Sequence, residues 1–388
     1  MIDFKTNNLP ILSWCNNPDD ATLKQAFNLA SLPFIHQHVA LMPDTHCGYG
    51  MPIGGVIACR GVIIPNAVGV DIGCGMSAFC TNIKVTDLST DMLKSIMNRI
   101  REFIPVGFKH NPVGNYVNFY YAPKIDIIQN ELKSAATQLG TLGGGNHFIE
   151  IQRGSDGFVW VMLHSGSRNL GYKIAKHYNK IAQDLCCQWH SNIPAFTGDD
   201  SLAFLPVNSV EGKEYIQAME FACTFARENR AEMNYRIKSA FIEFFPNVTF
   251  DKQIDILHNY AKLEHHFGQN VWVHRKGATS ANFNELGIIP GSQGSMSYIV
   301  RGKGNPLSFK SCSHGAGRAL SRSRAIKELD FTAEKAKLDN LGILHAVNSV
   351  EDLAESTLAY KDIDIVMREQ SDLVDIVVEL FPLGVIKG

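Results

Sequence analysis

Gly140-Thr141-Leu142-Gly143-Gly144-Gly145-Asn146-His147-Phe148-Ile149-Glu150 is a glycine-rich turn that runs directly into a β-prone segment. Its glycines favour a turn over a helix interior, and Phe148-Ile149 opens an apolar strand. A second such run, residues 158–164 (Phe-Val-Trp-Val-Met-Leu-His), ends in Ser165-Gly166-Ser167-Arg168. Leu170, Ile174, Tyr178, Ile181 and Leu185 then recur every three or four residues, so a helix follows that loop at once.

On the N-terminal side, the spacing predicts helices over residues 21–31, 86–103 and 124–139. Between the first two lie short apolar runs at 38–42, 55–59, 62–64 and 67–72, cut by Gly and Pro as strands are. Residues 105–123 are aromatic and irregular and read as a surface lid or loop, and 192–208 lack periodicity. The longest helical pattern covers 210–245 and stops before Pro246; it reads as a buttress without chemistry of its own. Strands return at 255–258, 269–274, 287–290 and 297–301, and the last eighty residues alternate helix and loop, with a helix over 368–380. Strands come in clusters rather than alternating with helices, which favours an α+β fold over a doubly wound sheet.

The 388 residues are 45% hydrophobic, ample for a sizeable core, and the net charge of −2 gives no global basic field. The 36 Lys and Arg still leave room for a local basic groove. Nine cysteines without a CxxC pair fit neither a disulfide framework nor a zinc ribbon. No signal-like N-terminus and no long apolar stretch is visible, so a soluble, cytoplasmic protein with no membrane contact is expected.

Chemistry-bearing residues sit where apolar runs meet glycine. Asp71 and Cys74 lie in Gly69-Val70-Asp71-Ile72-Gly73-Cys74-Gly75, His147 follows Gly-Asn, His164 precedes Ser-Gly-Ser, and His258 begins His-Asn-Tyr. A carboxylate, a thiolate and three imidazoles make a complete ligand set for one or two transition metals, and their softness points to zinc. Singly, each reads more readily as structural. Pro43-Asp44-Thr45-His46 is a further polar site of the same character, whereas His265, His266 and His274 read as solvated or structural.

Glycine turns at 143–146, 290–295 and 315–317 offer backbone N–H groups to phosphates, although none is a Walker or Rossmann sequence. In Ser311-Cys312-Ser313-His314-Gly315-Ala316-Gly317-Arg318, small neighbours let a large ligand approach the imidazole. The run from 316 to 325 reads as a helix start, which would put His314 at a helix N-terminus and favour its neutral form.

Taken together, Met42-Pro43-Asp44-Thr45-His46-Cys47-Gly48-Tyr49-Gly50, residues 69–75, 140–150 and 163–168, His258-Asn259-Tyr260, residues 287–294 and 311–318, Tyr360-Lys361-Asp362-Ile363-Asp364 and the terminal Lys387-Gly388 resemble the RtcB family of RNA ligases, in order along nearly the whole chain. The resemblance implies one large α+β catalytic domain over 1–388, with glycine-rich strand-end loops converging on a central metal and nucleotide cleft. It implies ligation of RNA 3′-phosphate or 2′,3′-cyclic phosphate ends to 5′-hydroxyl ends, in tRNA splicing or RNA repair, with GTP as the nucleotide. Two Mn(II) ions would be held by Asp71, Cys74, His147, His164 and His258, with Cys74 bridging, in place of the zinc that ligand softness suggests.

On the same resemblance, His314 would be the nucleophile that carries GMP. Asn146, His147, Phe148, Ile149, Glu150, His258, Asn259, Pro290, Gly291, Ser292, Gln293, Ser297, His314, Gly315, Ala316, Gly317 and Lys387 would line the GTP/GMP pocket. Arg168 and Arg318 would contact RNA phosphates, and an archease-type activator is a conceivable partner. The segment between Gly75 and Gly140 is shorter and less basic than in well-studied members, and Cys47 and Tyr49 vary the Pro-Asp-x-His turn, so the choice of RNA does not follow. Two other classes compete: a metal-dependent phosphoesterase acting on RNA ends without guanylylation, and a non-catalytic RNA-binding relative.

Overall fold

The computed structural model describes residues 1–112, 119–193 and 197–388; the central part of the expected 105–123 loop, residues 113–118, lies outside them. Two sheets dominate. A six-stranded sheet has the order Ile2–Phe4, Ile11–Ser13, Ile35–His46, Ile53–Cys59, Gln269–Lys276, Asn259–His266. A seven-stranded sheet has the order Phe250–Leu257, Gly75–Lys84, Phe158–Ser165, Phe148–Gly154, Val374–Lys387, Ser297–Gly302, Leu286–Ile289. Its two edge strands approach each other, so this sheet curls nearly into a barrel. The mixture of helix with mainly antiparallel strands is the α+β class expected.

Alternation along the barrel strands decides which side chains face the interior. In Phe158–Ser165, Val159, Val161 and Leu163 pack outward against Met233, Ile237 and Phe241 of the helix Val210–Phe244, while Trp160 and Met162 pack inward with Met76, Ile256 and Ile299. The same parity puts His164 inward. In Phe148–Gly154, Ile149 and Ile151 join the outer layer, so Phe148, Glu150 and Gln152 face in. The long helix covers the outer face with Met233, Ile237, Ala240 and Phe241, its buried row being interrupted by the polar residues Asn229, Arg230 and Asn234.

Three expectations are corrected. Residues 374–387 form a 14-residue strand, not part of a helix over 368–380; the actual helix is Ile363–Glu369. Ile376-Val377-Val378 is a β-branched run, and pairing with Ser297–Gly302 on one side and Phe148–Gly154 on the other overrides the helical spacing. Residues 65–68 make a short helical turn with Pro65 at its start, where an apolar strand over 67–72 was expected. Finally, the helix after His314 is Arg322–Glu328, capped by the Ser321 hydroxyl. His314 therefore sits in a bend several residues before it, not at the start of that helix.

Candidate active site and metal centre

The cleft lies where the two sheets meet, and His258 marks the junction. Phe250–Leu257 belongs to the barrel sheet, Asn259–His266 to the six-stranded sheet, and His258 is the single residue between them. Its backbone N–H donates to the Cys74 carbonyl (2.9 Å), and the Gly73 N–H donates to the Asn259 carbonyl (2.8 Å). The Asn259 amide adds a bond to the Asp71 carbonyl (3.1 Å) and accepts from the Gly277 N–H (2.9 Å). The loop bearing Asp71 and Cys74 is thus tied to the crossover bearing His258.

The long helix fixes the other side of that loop. Arg230, wholly buried, donates from Nη1 to the carbonyls of Gly73 (3.2 Å) and Ser165 (3.0 Å), while Nε and Nη2 pair with Asp255, each at 2.7 Å. Asn229 accepts from the N–H groups of Gly140 and Thr141 and donates to Thr141, Ser165 and Gly166. The three loops carrying Cys74, His147 and His164 therefore share one scaffold. The sequence reading missed these residues; polar Asn229-Arg230 within an otherwise apolar stripe was the available signal.

All five expected metal ligands converge. The donor atoms of Cys74, His164 and His258 lie within 4.8 Å of one another, as do those of Asp71, Cys74 and His147, with Cys74 common to both groups. Cys74 Sγ is 3.4 Å from His147 Nε2 and 3.3 Å from His164 Nε2, and the Nε2 atoms of His164 and His258 are 3.4 Å apart. His164 Nδ1 lies 3.0 Å from the Asn146 carbonyl, which only accepts, so Nδ1 bears the proton and Nε2 points its lone pair at the thiol and at His258. Burial, together with neighbouring imidazoles, holds both His164 and His258 well below the usual histidine range. Burial and then the Asp71 carboxylate push the Cys74 thiol well up. His258 Nδ1 is buried without a hydrogen-bond partner among the described residues. Neutral imidazoles facing a thiol supply lone pairs in excess of protons, an arrangement that fits cation binding.

His147 Nε2 lies 3.2 Å from Asp71 Oδ2, while its Nδ1 has two competing partners. Its Nδ1 is 3.0 Å from the Leu142 carbonyl and 3.1 Å from Arg168 Nη1, and one nitrogen cannot donate to the first and accept from the second at once. A cation on Nε2 would select the form protonated at Nδ1. Arg168 itself is folded over Gly143 beside this ring.

His314 stands next to the cluster, its ring centroid 4.9 Å from that of His258. Its Nδ1 is 2.6 Å from Asp44 Oδ2, an oxygen that also accepts the backbone N–H groups of His314 (3.0 Å) and Gly315 (3.2 Å). A carboxylate accepts, so the proton sits on Nδ1 and leaves Nε2 as the reactive nitrogen. Asp44, wholly buried, reaches this place because the strand Ile35–His46 bulges: Leu41 pairs with Gly55 and His46 with Ile53, leaving four residues opposite Gly54 alone. Gly54 (φ +80°) and Gly317 (φ +74°) both abut this bulge, and a Cβ on either would lie within 3 Å of Asp44 or Thr45 backbone.

Beyond His314 a pocket is lined by Asn146, Phe148, Glu150, Pro290, Gly291, Ser292, Gln293, Gly315, Ala316, Gly317 and Lys387, all expected nucleotide contacts, and also by His46, Arg318, Arg322, Glu355 and Tyr360. Ile149 points to the opposite face of its strand, Asn259 lines the neighbouring cleft, and the Ser297 hydroxyl accepts from the Gly291 N–H (3.0 Å). Burial pushes the Glu150 carboxyl up to about 8. Lys387 is the diagonal neighbour of Glu150 across the ladder, since Val385 is the direct partner of Glu150 and Lys387 that of Phe148. Glu355, Arg322 and Tyr360 were not foreseen as pocket residues, although Tyr360 lay in a noted motif. On the other side of His314, a cleft is lined by Tyr49, Asp71, Cys74, Asn259, Lys276 and Arg318. Burial lowers the Lys276 ammonium there to about 7.

The family model described as tRNA-splicing ligase RtcB matches residues 25–118 and 117–388. The chain belongs to the RtcB family. It is 37% identical to an RNA-splicing ligase RtcB of Escherichia coli K12, over 99% of this chain and 98% of that protein. A tRNA-splicing ligase RtcB of Methanococcus maripaludis is 32% identical over 96% and 92%, and an RNA-splicing ligase RtcB of Mycobacterium bovis 32% over 94% and 100%. No helix among the described residues is long and apolar enough to cross a membrane.

Proposed function

We propose that this protein is an RNA ligase that uses GTP and Mn(II) to join RNA 3′-phosphate or 2′,3′-cyclic phosphate ends to 5′-hydroxyl ends, as one catalytic unit over its whole length. Membership of the RtcB family supports ligation of RNA. The observation that carries the chemistry is His314, its Nδ1 bonded to a buried carboxylate and its ring between the cation cluster and a polar pocket.

Asp71, Cys74, His147, His164 and His258 would hold two divalent cations, the Cys74 thiolate common to both. When bound there, such ions offset charge developing on phosphate oxygens. The remaining work belongs to the chain. Glu150 and Lys387 would take the guanine edge, and backbone N–H groups of 291–293 and 315–317 would take phosphate oxygens. His314 Nε2 attacks the α-phosphorus of GTP; the N–P bond forms as the bond to the β-phosphate oxygen breaks and pyrophosphate leaves. The Nδ1 proton stays on the ring, and Asp44 balances the positive charge of the substituted imidazole.

An oxygen of the RNA 3′-phosphate then displaces His314 from phosphorus, and the imidazole returns to its neutral, Asp44-bonded form. Attack by the 5′-hydroxyl on the activated 3′-phosphate expels GMP, and the hydroxyl proton is lost to solvent or a nearby base. A cyclic phosphate is first opened by water to the 3′-phosphate. Arg168 and Arg318 are the proposed RNA-phosphate contacts. The test is ligation of RNA strands with defined ends, a 3′-phosphate or a cyclic phosphate against a 5′-hydroxyl. Joining that needs both GTP and Mn(II) is expected. Removal of the terminal phosphate without joining would replace the ligase reading with a phosphoesterase.

A further inference from the structure

Three cations of the nucleotide pocket converge on one buried carboxylate that the ligase chemistry above does not use. Glu355 Oε1 is 3.3 Å from Arg318 Nη1 and 3.2 Å from Arg322 Nε, while Oε2 is 3.2 Å from Lys387 Nζ and also accepts the Tyr360 hydroxyl. The two oxygens serve different ends of the pocket. Lys387 stands on the strand beside Phe148 and Glu150, whereas Arg318 and Arg322 follow the His314-Gly315-Ala316-Gly317 turn.

The three cations depend on Glu355 to different degrees. Arg318 is pinned independently through the carbonyls of Ala354 (2.6 Å) and Leu320 (3.0 Å). Among the described residues, Glu355 is the only hydrogen-bond partner of the Lys387 ammonium and of the Arg322 guanidinium, whose side chain is about half exposed (54%). Lys387 is by contrast sunk in the pocket, where burial lowers its ammonium and Glu355 opposes that loss. Glu355 in turn is held below the usual carboxylate range, against its own burial, by Lys387, Tyr360 and the two arginines.

We propose that Glu355 is a positioning residue for nucleotide selectivity: its carboxylate holds the Lys387 ammonium aimed at the base, while tempering the arginines at the phosphate end of the pocket. This rests on the nucleotide-pocket reading given above. The two oxygens then predict opposite signs. Removing the charge strips the base end of its oriented cation and leaves the phosphate end more positive. A carboxylate that merely tied the Tyr360 segment to the last strand would affect both ends alike.

The experiment is equilibrium binding of guanosine, GMP and AMP to the full-length protein with Mn(II), comparing wild type, Glu355→Gln and Glu355→Asp. The amide keeps shape and one acceptor but loses the charge. For Glu355→Gln, guanosine affinity should fall roughly tenfold, the loss of one charge-assisted hydrogen bond. GMP should fall by less, so the phosphate's contribution to affinity rises, and the preference for GMP over AMP should shrink. Glu355→Asp, which retains the charge, should recover part of that preference. Equal weakening of guanosine and GMP, or unchanged selectivity, overturns the role of Glu355 and leaves the pocket reading intact. Wild type that binds GMP no better than AMP overturns the pocket reading and this inference with it.

Discussion

Asp44 gives His314 its tautomer, and the rest of its bonding explains why it can. One oxygen accepts three N–H groups from residues 314 and 315, so the turn and the ring are fixed by the same atom. Asp44→Asn keeps the volume and an acceptor but removes the charge that balances a substituted imidazole. Ligation should fall roughly 10²-fold or more, with little change in melting temperature, as for other histidines that lose a buried carboxylate partner. Retention of full ligation rate by that variant would contradict the assignment. Glu150 gives a pH prediction. Burial pushes its carboxyl in the folded state up to about 8, above the ordinary value of about 4.5, so the folded state binds the extra proton in that window. Its contribution to stability is present below about 4.5 and is lost as pH rises through 8. Wild type should therefore lose stability relative to Glu150→Gln by up to about 1.4 kcal/mol per pH unit across that range. Denaturant titration at several pH values checks this, and parallel curves for the two proteins would show that Glu150 ionises normally.

At the scale of elements, the site depends on a sheet-to-sheet crossover at His258, a bulge opposite Gly54 and one helix bearing Asn229 and Arg230. Arg230→Met fills similar volume but leaves the carbonyls of Gly73 and Ser165 and the Asp255 carboxylate without their donor. It should cost roughly 3 kcal/mol and loosen the Cys74 loop, so Mn(II) affinity should drop as well. Calorimetric Mn(II) titration of the folded variant tests the second part; unchanged affinity would make Arg230 a stability element alone. Much of the element pattern was legible in the chain. The helices at 20–30, 90–103, 126–138, 168–188 and 210–244 announced themselves through 3.6-residue spacing. The last strand did not, because Asp375 and Glu379 bracket its apolar residues at helical spacing and only pairing on both sides decides the matter. The bend after His314 was misread for a related reason: Gly317 takes positive φ where Asp44 leaves no room for a Cβ, and Asp44 is a residue 273 positions away in sequence and invisible to local spacing.

For the whole molecule, the five clustered residues come from the barrel sheet, the loops that lead into it and His258 at the junction of the two sheets, so the cluster assembles only once distant parts of the chain have folded together. Mn(II) should accordingly stabilise the native state, by about 2.7 kcal/mol at a hundredfold excess over its dissociation constant, and Cys74→Ala should lose most of that gain. A melting curve that ignores Mn(II) would speak against the site. The clustering of Asp71, Cys74, His147, His164 and His258 was legible because metal donors beside glycine at strand ends are a chemical signature. The scaffold was not, since Arg230, Glu355 and Tyr360 gain their meaning from contacts across the fold. With a net charge of −2, the proposed RNA attraction would rest on local groups such as Arg168 and Arg318 rather than on the global field. The central claim is that His314 accepts guanylate through Nε2. Incubation with α-phosphate-labelled GTP and Mn(II) tests it most directly. The account predicts label on the protein that is acid-labile and alkali-stable, and absent from His314→Ala. Label that survives in His314→Ala, or wild type that takes up none under conditions where it joins RNA, would contradict it.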